Sequence, residues 1–169
     1  DIAPLEFVQF SNIASPGMTP QNMWDLHCKI EELLARDDVA GVVVTHGTDT
    51  LEETSFFLDI TAKSQKPVVC TAAMRGASDI SPDGPYNIYC SVKTAASPQA
   101  VGMGVMVCLD EILQAPGEVM KTHSANPATF QSPWWGPIGY VDIDHIVWRR
   151  KVLGVKRFHP QALTARVDL

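Results

Sequence analysis

The sequence predicts an α/β fold: a doubly wound, mostly parallel sheet with flanking helices and a C-terminal β-hairpin. Three observations carry this. The β-branched run Gly41-Val42-Val43-Val44 leads through a polar turn into the helical pattern Leu51–Leu58, which reads as strand, turn, helix. Strand-like runs and helical patterns of 10–15 residues then alternate along the chain, the arrangement that places helices on both faces of a parallel sheet. The 169 residues suffice for one domain with one sizeable core.

Leu5–Phe10 has the composition of a short strand, and Ser11–Gly17 that of a loop. Thr19-Pro20 opens a helix, with threonine as N-cap and proline at the first helical position. Met23, Leu26, Ile30, Leu33 and Leu34 form its buried stripe; His27, beside the stripe, reads as a helix-surface residue, and Arg36-Asp37-Asp38 ends the helix. The helix after the central turn runs to about Ala62. In it Thr50-x-x-Glu53 reads as a capping box, in which hydroxyl and carboxylate satisfy free N–H groups, a cap worth about 1 kcal/mol. Pro67–Ala72 is a buried strand whose small-residue end, Ala73-Met74-Arg75-Gly76, lets a ligand approach the backbone. Ser81–Pro85 caps a helix through Tyr89, Val92, Ala95 and Ala96. Val101–Leu109 is a strand interrupted by Gly102 and Gly104.

After Asp110 the pattern changes. Glu118–Lys121 is a short extended piece, Thr122–Asn126 a polar loop and Trp134–Pro137 a turn. Ile138–Val141 and Ile146–Trp148 form a hairpin around Asp142-Ile143-Asp144. Lys151–Pro160 reads as a linker, and Val167-Asp168-Leu169 as the opening of a further strand. Residues 1–150 are therefore one α/β domain and 151–169 a linker with the start of a second. Asp1-Ile2-Ala3-Pro4 reads as a cut into a longer chain.

Composition narrows the function classes. A net charge of −6 without a Lys/Arg stripe argues against nucleic acid. No apolar run approaches the ~20 residues that span a bilayer. Cys28, Cys70, Cys90 and Cys108 form no C-x-x-C and have no histidine at metal-ligand spacing, so they read as free thiols and favour a reducing, cytoplasmic compartment over a periplasmic one.

The chemistry concentrates in Thr45-His46-Gly47-Thr48-Asp49-Thr50, at the carboxyl end of a strand, where open α/β sheets bind ligands. A cap explains Thr50 and Glu53 but not the packing of Thr45, His46, Thr48 and Asp49 before them. Taken alone, Lys121 reads as a solvated surface lysine and Ser15 as a loop residue.

The run V-V-V-T-H-G-T-D-T-L-E-E-T at 42–54 resembles the second signature of the bacterial-type L-asparaginases. Asp1-Ile2-Ala3, Asn12–Ser15, Lys66–Val69, Ala73–Arg75, Asp83–Asn87, Lys121-Thr122, Ala128–Phe130 and Gly136–Gly139 resemble other family segments in the same order. The resemblance covers essentially the whole chain. It implies an amidohydrolase, L-asparagine and water to L-aspartate and ammonia, with no cofactor and no metal. Thr48 resembles the threonine of the rigid catalytic group, Asp49 the carboxylate that receives the substrate's α-ammonium, and Lys121 the lysine that activates the threonine. Ser15 resembles the serine that binds the α-carboxylate, and Ala73 the alanine whose carbonyl faces the substrate amide. Glutaminase-asparaginase activity and the asparaginase-like subunit of a tRNA-dependent amidotransferase are the enzymatic alternatives; a non-catalytic amino-acid-binding module is the other. A pure binder has no need of the lysine.

The residue types suit the reaction. Amide hydrolysis needs a nucleophile, a base and an oxyanion site. A lysine becomes a base when burial or a neighbouring cation lowers its pKa, and Asp49 opposes that. The resemblance further implies a glycine-rich strand with a second threonine upstream, a smaller C-terminal domain, a homotetramer built as a dimer of dimers, and subunit sharing of the site. Pro16 stands where many relatives have a polar residue, and the cysteine pair of some secreted members, mapping near Arg36 and Ser64, is absent. Without the upstream strand the 169-residue chain is expected to be inactive alone, with a gap at a sheet edge and apolar surface uncovered.

Overall fold

A computed structural model describes residues 2–153 and 157–163. A six-stranded sheet runs in the order β1 (Val42–Thr45), β2 (Val68–Thr71), β3 (Val105–Leu109), β4 (Ile112–Gln114), β7 (Gly139–Val141), β8 (Ile146–Trp148). The first three strands are parallel, with Val42 opposite Val68 and Val68 opposite Val105. β4, β7 and β8 extend the sheet antiparallel, so the α/β fold holds with a mixed sheet. β5 (Met120–Lys121) and β6 (Phe130–Gln131) form a separate two-stranded ribbon.

Helices cover both faces, which is why β2 and β3 are apolar but for Thr71, with every residue buried. On one face α1 (Pro20–Leu34) and α2 (Leu51–Thr61) bring Leu26, Ile30, Leu34, Leu51 and Leu58 against Val68, Cys70, Val105 and Val107. On the other, α3 (Gly84–Ala95) packs Cys90 and Ala95 against Val69, Met106 and Cys108, continuous with Leu113, Ile138 and Val141. Each fully buried aliphatic side chain contributes about 1.5–3 kcal/mol of transfer free energy, so the two-faced core dominates stability.

The N-terminus of α1 carries the expected cap. The Thr19 hydroxyl accepts from the Asn22 N–H, and the Asn22 side chain accepts from the Thr19 N–H. The hairpin of β7 and β8 also stands where the sequence places it.

Five readings are corrected. Residues 5–10 are not a strand: no ladder partner takes their backbone groups among the described residues, and Phe7 is 87% exposed. The segment instead lines a cavity of about 550 Å³ along β1, the edge strand. The strand assigned to 101–109 begins only at Val105, because Gly102 and Gly104 have φ of 80° and 82° and turn the chain first. β4 falls where no strand was read. It follows a two-residue hairpin turn, Asp110-Glu111, whose φ values of 51° and 65° lack the usual glycine. The Asn87 side-chain oxygen accepts from the Asp110 N–H at 3.0 Å and fixes that turn.

Thr50 and Glu53 form no capping box: the Thr50 hydroxyl donates instead to the Ser15 carbonyl at 2.8 Å. His27 is buried, 2% exposed, and its Nδ1 lies 3.2 Å from the Thr61 hydroxyl. The polar ring faces the α1–α2 contact because Thr61 gives it a partner there. The described part of 151–160 carries no helix or strand, while residues 167–169 lie outside the described residues.

Burial lowers the pKa of His27, outweighing the favourable field of Glu31. The unfolded chain therefore takes up a proton near pH ~6.5 that the folded protein resists. Stability is fully present above that pH and falls as pH drops through it. The melting temperature is expected to decline between about pH 7 and 5.5, and His27→Gln, which keeps a polar partner for Thr61, to flatten that decline. An unchanged pH slope in the variant would refute the assignment.

Candidate active site

The turn after β1 is built by a close approach. A Cβ at Gly47 would sit 2.5 Å from Ser15 Oγ and 2.7 Å from Ser15 Cβ, so only glycine admits the Ser15 loop at that distance. The loop then locks on. Ser15 Oγ accepts from the Asp49 N–H at 3.2 Å, and Ser15, 6% exposed, takes the Thr50 hydroxyl on its carbonyl. His46 closes the other side. Its Nδ1 is 2.7 Å from the Gly47 carbonyl, which can only accept, so the neutral ring carries its proton on Nδ1. Nε2 is then left to accept from the buried Thr54 hydroxyl at 3.1 Å. The peptide before Thr48 is held from both sides.

Lys121 arrives from the separate ribbon. Its Nζ donates to Thr48 Oγ1 at 2.9 Å and to Asp49 Oδ1 at 2.8 Å. The lysine side chain is 20% exposed and the Asp49 side chain 57%. An ion pair so open on the carboxylate side adds little to stability, so holding the fold does not account for it. Side chains outside the ribbon bind its backbone. Gln114 of β4 donates to the Phe130 carbonyl at 3.1 Å and accepts from Ser132 at 2.7 Å. The Glu52 carboxylate, in the first turn of α2, accepts the backbone N–H of Lys121.

Ala73 follows β2, whose Thr71 lies opposite Thr45 of β1, so it emerges at the same end of the sheet as the Thr48 turn. It is exposed, and its neighbours are fixed. Asn87 donates to the Ala72 carbonyl at 2.9 Å, and the Asp83 carboxylate accepts from the N–H groups of Met74 at 3.0 Å and Arg75 at 2.9 Å. Burial opposes the charge on Asp83, but those N–H groups and the Asn87 amide outweigh it and hold its carboxyl below its ordinary value.

Thr48, Asp49, Lys121 and Ser15 thus meet in one cluster. His46 and Glu52, which steady it, lie within the 42–54 run, where the sequence assigns neither a role. Asp83 and Asn87, which fix the backbone beside Ala73, lie in a segment that reads as a helix cap and as one of the family-like segments, with no role assigned to either. The cavity along β1 reaches Thr45 and His46 but not Thr48, Asp49 or Lys121.

The cluster's chemistry is that of a hydroxyl facing an amine and a carboxylate. Thiols offer no rival nucleophile in the core. Burial pushes Cys70 and Cys108 up to about 12 and Cys90 to about 11, leaving them as thiols at neutral pH. Among the described residues, no three His, Cys, Asp or Glu side chains gather as a metal site.

Comparison with known proteins places this arrangement. A family model described as asparaginase, N-terminal, matches residues 1–153. L-asparaginase 2 of Bacillus subtilis is 44% identical over 144 residues, 85% of this chain and 38% of that protein. L-asparaginase 2 of Escherichia coli is 42% identical over 151 residues, 89% of this chain and 42% of that protein. Glutaminase-asparaginase of Pseudomonas fluorescens is 38% identical over 149 residues, 88% of this chain and 41% of that protein. The chain thus spans about two fifths of the length of these relatives. The crystal structure of a probable cytoplasmic L-asparaginase from Campylobacter jejuni superposes with a TM-score of 0.88 at 39% identity, covering 94% of this chain and 51% of that one. Sequence, fold and family model agree: the chain belongs to the asparaginase family and matches the part of it described as N-terminal.

Proposed function

We propose that this chain carries the substrate-side half of an L-asparaginase site, which converts L-asparagine and water to L-aspartate and ammonia. The observation that carries the reading is the placement of Lys121 Nζ within hydrogen-bond reach of both Thr48 Oγ1 and Asp49 Oδ1. Asp49 receives the α-ammonium of the substrate and Ser15 its α-carboxylate. The Ser15 hydroxyl already accepts from Asp49 N–H, and its own hydrogen has no acceptor among the described residues, which leaves it to donate. The Ala73 carbonyl accepts from the side-chain amide.

In this reading a threonine hydroxyl attacks the amide carbon, and Lys121 takes up its proton. The C–N bond breaks as that proton is returned to the departing ammonia. Water then cleaves the ester, freeing aspartate and restoring the hydroxyl. Thr48 is the threonine this chain supplies, and an upstream strand brings a second. Residues 1–150 form the N-terminal domain and 151–169 the linker to a smaller one. The whole protein is a cytoplasmic homotetramer. No helix among the described residues is long and apolar enough to cross a membrane.

A second reading is dual glutaminase-asparaginase activity. The relative of that name and Pro16, next to the carboxylate-binding serine, support keeping it open. Ammonia release from asparagine and glutamine at equal concentrations separates the two.

In the whole protein Thr48→Val keeps side-chain shape and removes the hydroxyl, so kcat is expected to fall about 10²-fold or more with an unchanged melting temperature. Lys121→Met is expected to fall as far. A near-normal rate in either would reduce the cluster to a turn motif. Asp49→Asn keeps the size but loses the charge that meets the ammonium, so KM is expected to rise about tenfold or more. An unchanged KM would move the ammonium site elsewhere.

A further inference from the structure

We infer that Glu52 is a positioning residue for the Lys121 amine. The inference rests on the functional reading above and assigns a residue that the reading does not use. Lys121 lies on β5, which pairs only with β6 and stands outside the main sheet. The ribbon therefore has no ladder to set its distance from the Thr48 turn. β6 is tied to the sheet through Gln114, and the backbone of β5, the strand that bears the amine, is bound from outside the ribbon by a carboxylate: Glu52 accepts the Lys121 N–H across 69 positions of sequence.

Glu52 is well placed to hold a distance. It is the second residue of α2, and Thr48 and Asp49 stand in the turn just before the helix N-cap, Thr50. The hydroxyl, the carboxylate that pairs with the amine, and the group that anchors the amine's backbone therefore all lie within residues 48–52, on the turn and the start of the helix it opens. Any movement of α2 carries all three together. Acidic residues also suit the first turn of a helix, so the position costs Glu52 nothing locally. Its contact is with the backbone of Lys121, not with the reacting atoms, and its effect on the reaction passes through where the lysine stands.

Reach and charge separate cleanly by substitution. Glu52→Gln keeps the reach and an accepting oxygen and loses the charge. Glu52→Asp keeps the charge and the helix-start preference and loses one methylene of reach. A misplacement of about 1 Å can cost about 10²-fold in rate.

The experiment measures kcat, KM and melting temperature for both variants of the whole protein, with L-asparagine, beside Thr48→Val. Glu52→Gln is expected to stay within about threefold of the parent in kcat, and Glu52→Asp to lose about tenfold or more. KM and melting temperature are expected to hold in both. The reverse order, Asp active and Gln impaired, would overturn positioning in favour of charge. Parent-like kcat in Glu52→Asp would also overturn it, as would rate losses that track losses in melting temperature. Normal turnover by Thr48→Val would sink the functional reading and this inference with it. An inactive Thr48→Val beside a fully active Glu52→Asp would sink the inference alone.

Discussion

The contact of Gly47 with Ser15 is the constraint on which the site depends. A strand that ends in an open α/β sheet leaves its last residues free to take many paths. Here the loop before α1 presses against the turn so closely that a single methyl group would collide with it. That contact sets where the Asp49 N–H and the Thr50 hydroxyl find Ser15, and so where Thr48 and Asp49 present their side chains. Ordering a turn costs on the order of 1–2 kcal/mol per residue in backbone entropy. The bonds from Ser15, His46 and Thr54 offset this at the positions where freedom would blur the geometry.

The same logic recurs one strand over. The segment after β2 has no regular structure, yet Asp83 and Asn87 bind the backbone of residues 72, 74 and 75, and Asn87 reaches on to Asp110. One helix start thereby fixes two loops, after β2 and after β3. Beneath them β2 and β3 are buried on both faces, a rigid base to which these loops are anchored. The polar ties and the apolar core have different tasks: burial supplies stability, and the side-chain bonds to backbone supply position.

What was legible in the sequence follows from which signals are local. The 3.6-residue stripe of α1, its Thr19-Pro20 start and the apolar runs of β2 and β3 are patterns within one element, and they read through. Where a partner distant in sequence decides, local pattern misleads. Residues 5–10 look like a strand but find no ladder. His27 looks like a surface residue until Thr61 supplies a buried partner, and Thr50 looks like a cap until Ser15 takes its hydroxyl. β4 was hidden because a hairpin turn of Asp-Glu, without glycine, depends on Asn87 for its hold.

Lys121 marks the limit of local reading most sharply. Nothing in Glu118–Lys121 distinguishes it from a solvated lysine; only the resemblance to a family gave it a role. The structure adds the geometry in which that lysine stands. A lysine left to itself on a surface gains from water and from its own rotamer freedom, and an exposed partner returns little. Yet this one is three-quarters or more covered and held against a hydroxyl and a carboxylate. Its backbone is bound by a third residue from the helix those two precede. A two-stranded ribbon with no place in the main sheet is a weak device for stability, since an isolated pair of short strands is marginal in water. Its cost makes sense as the arm that carries an amine to a hydroxyl, with Gln114 and Glu52 fixing where the arm ends.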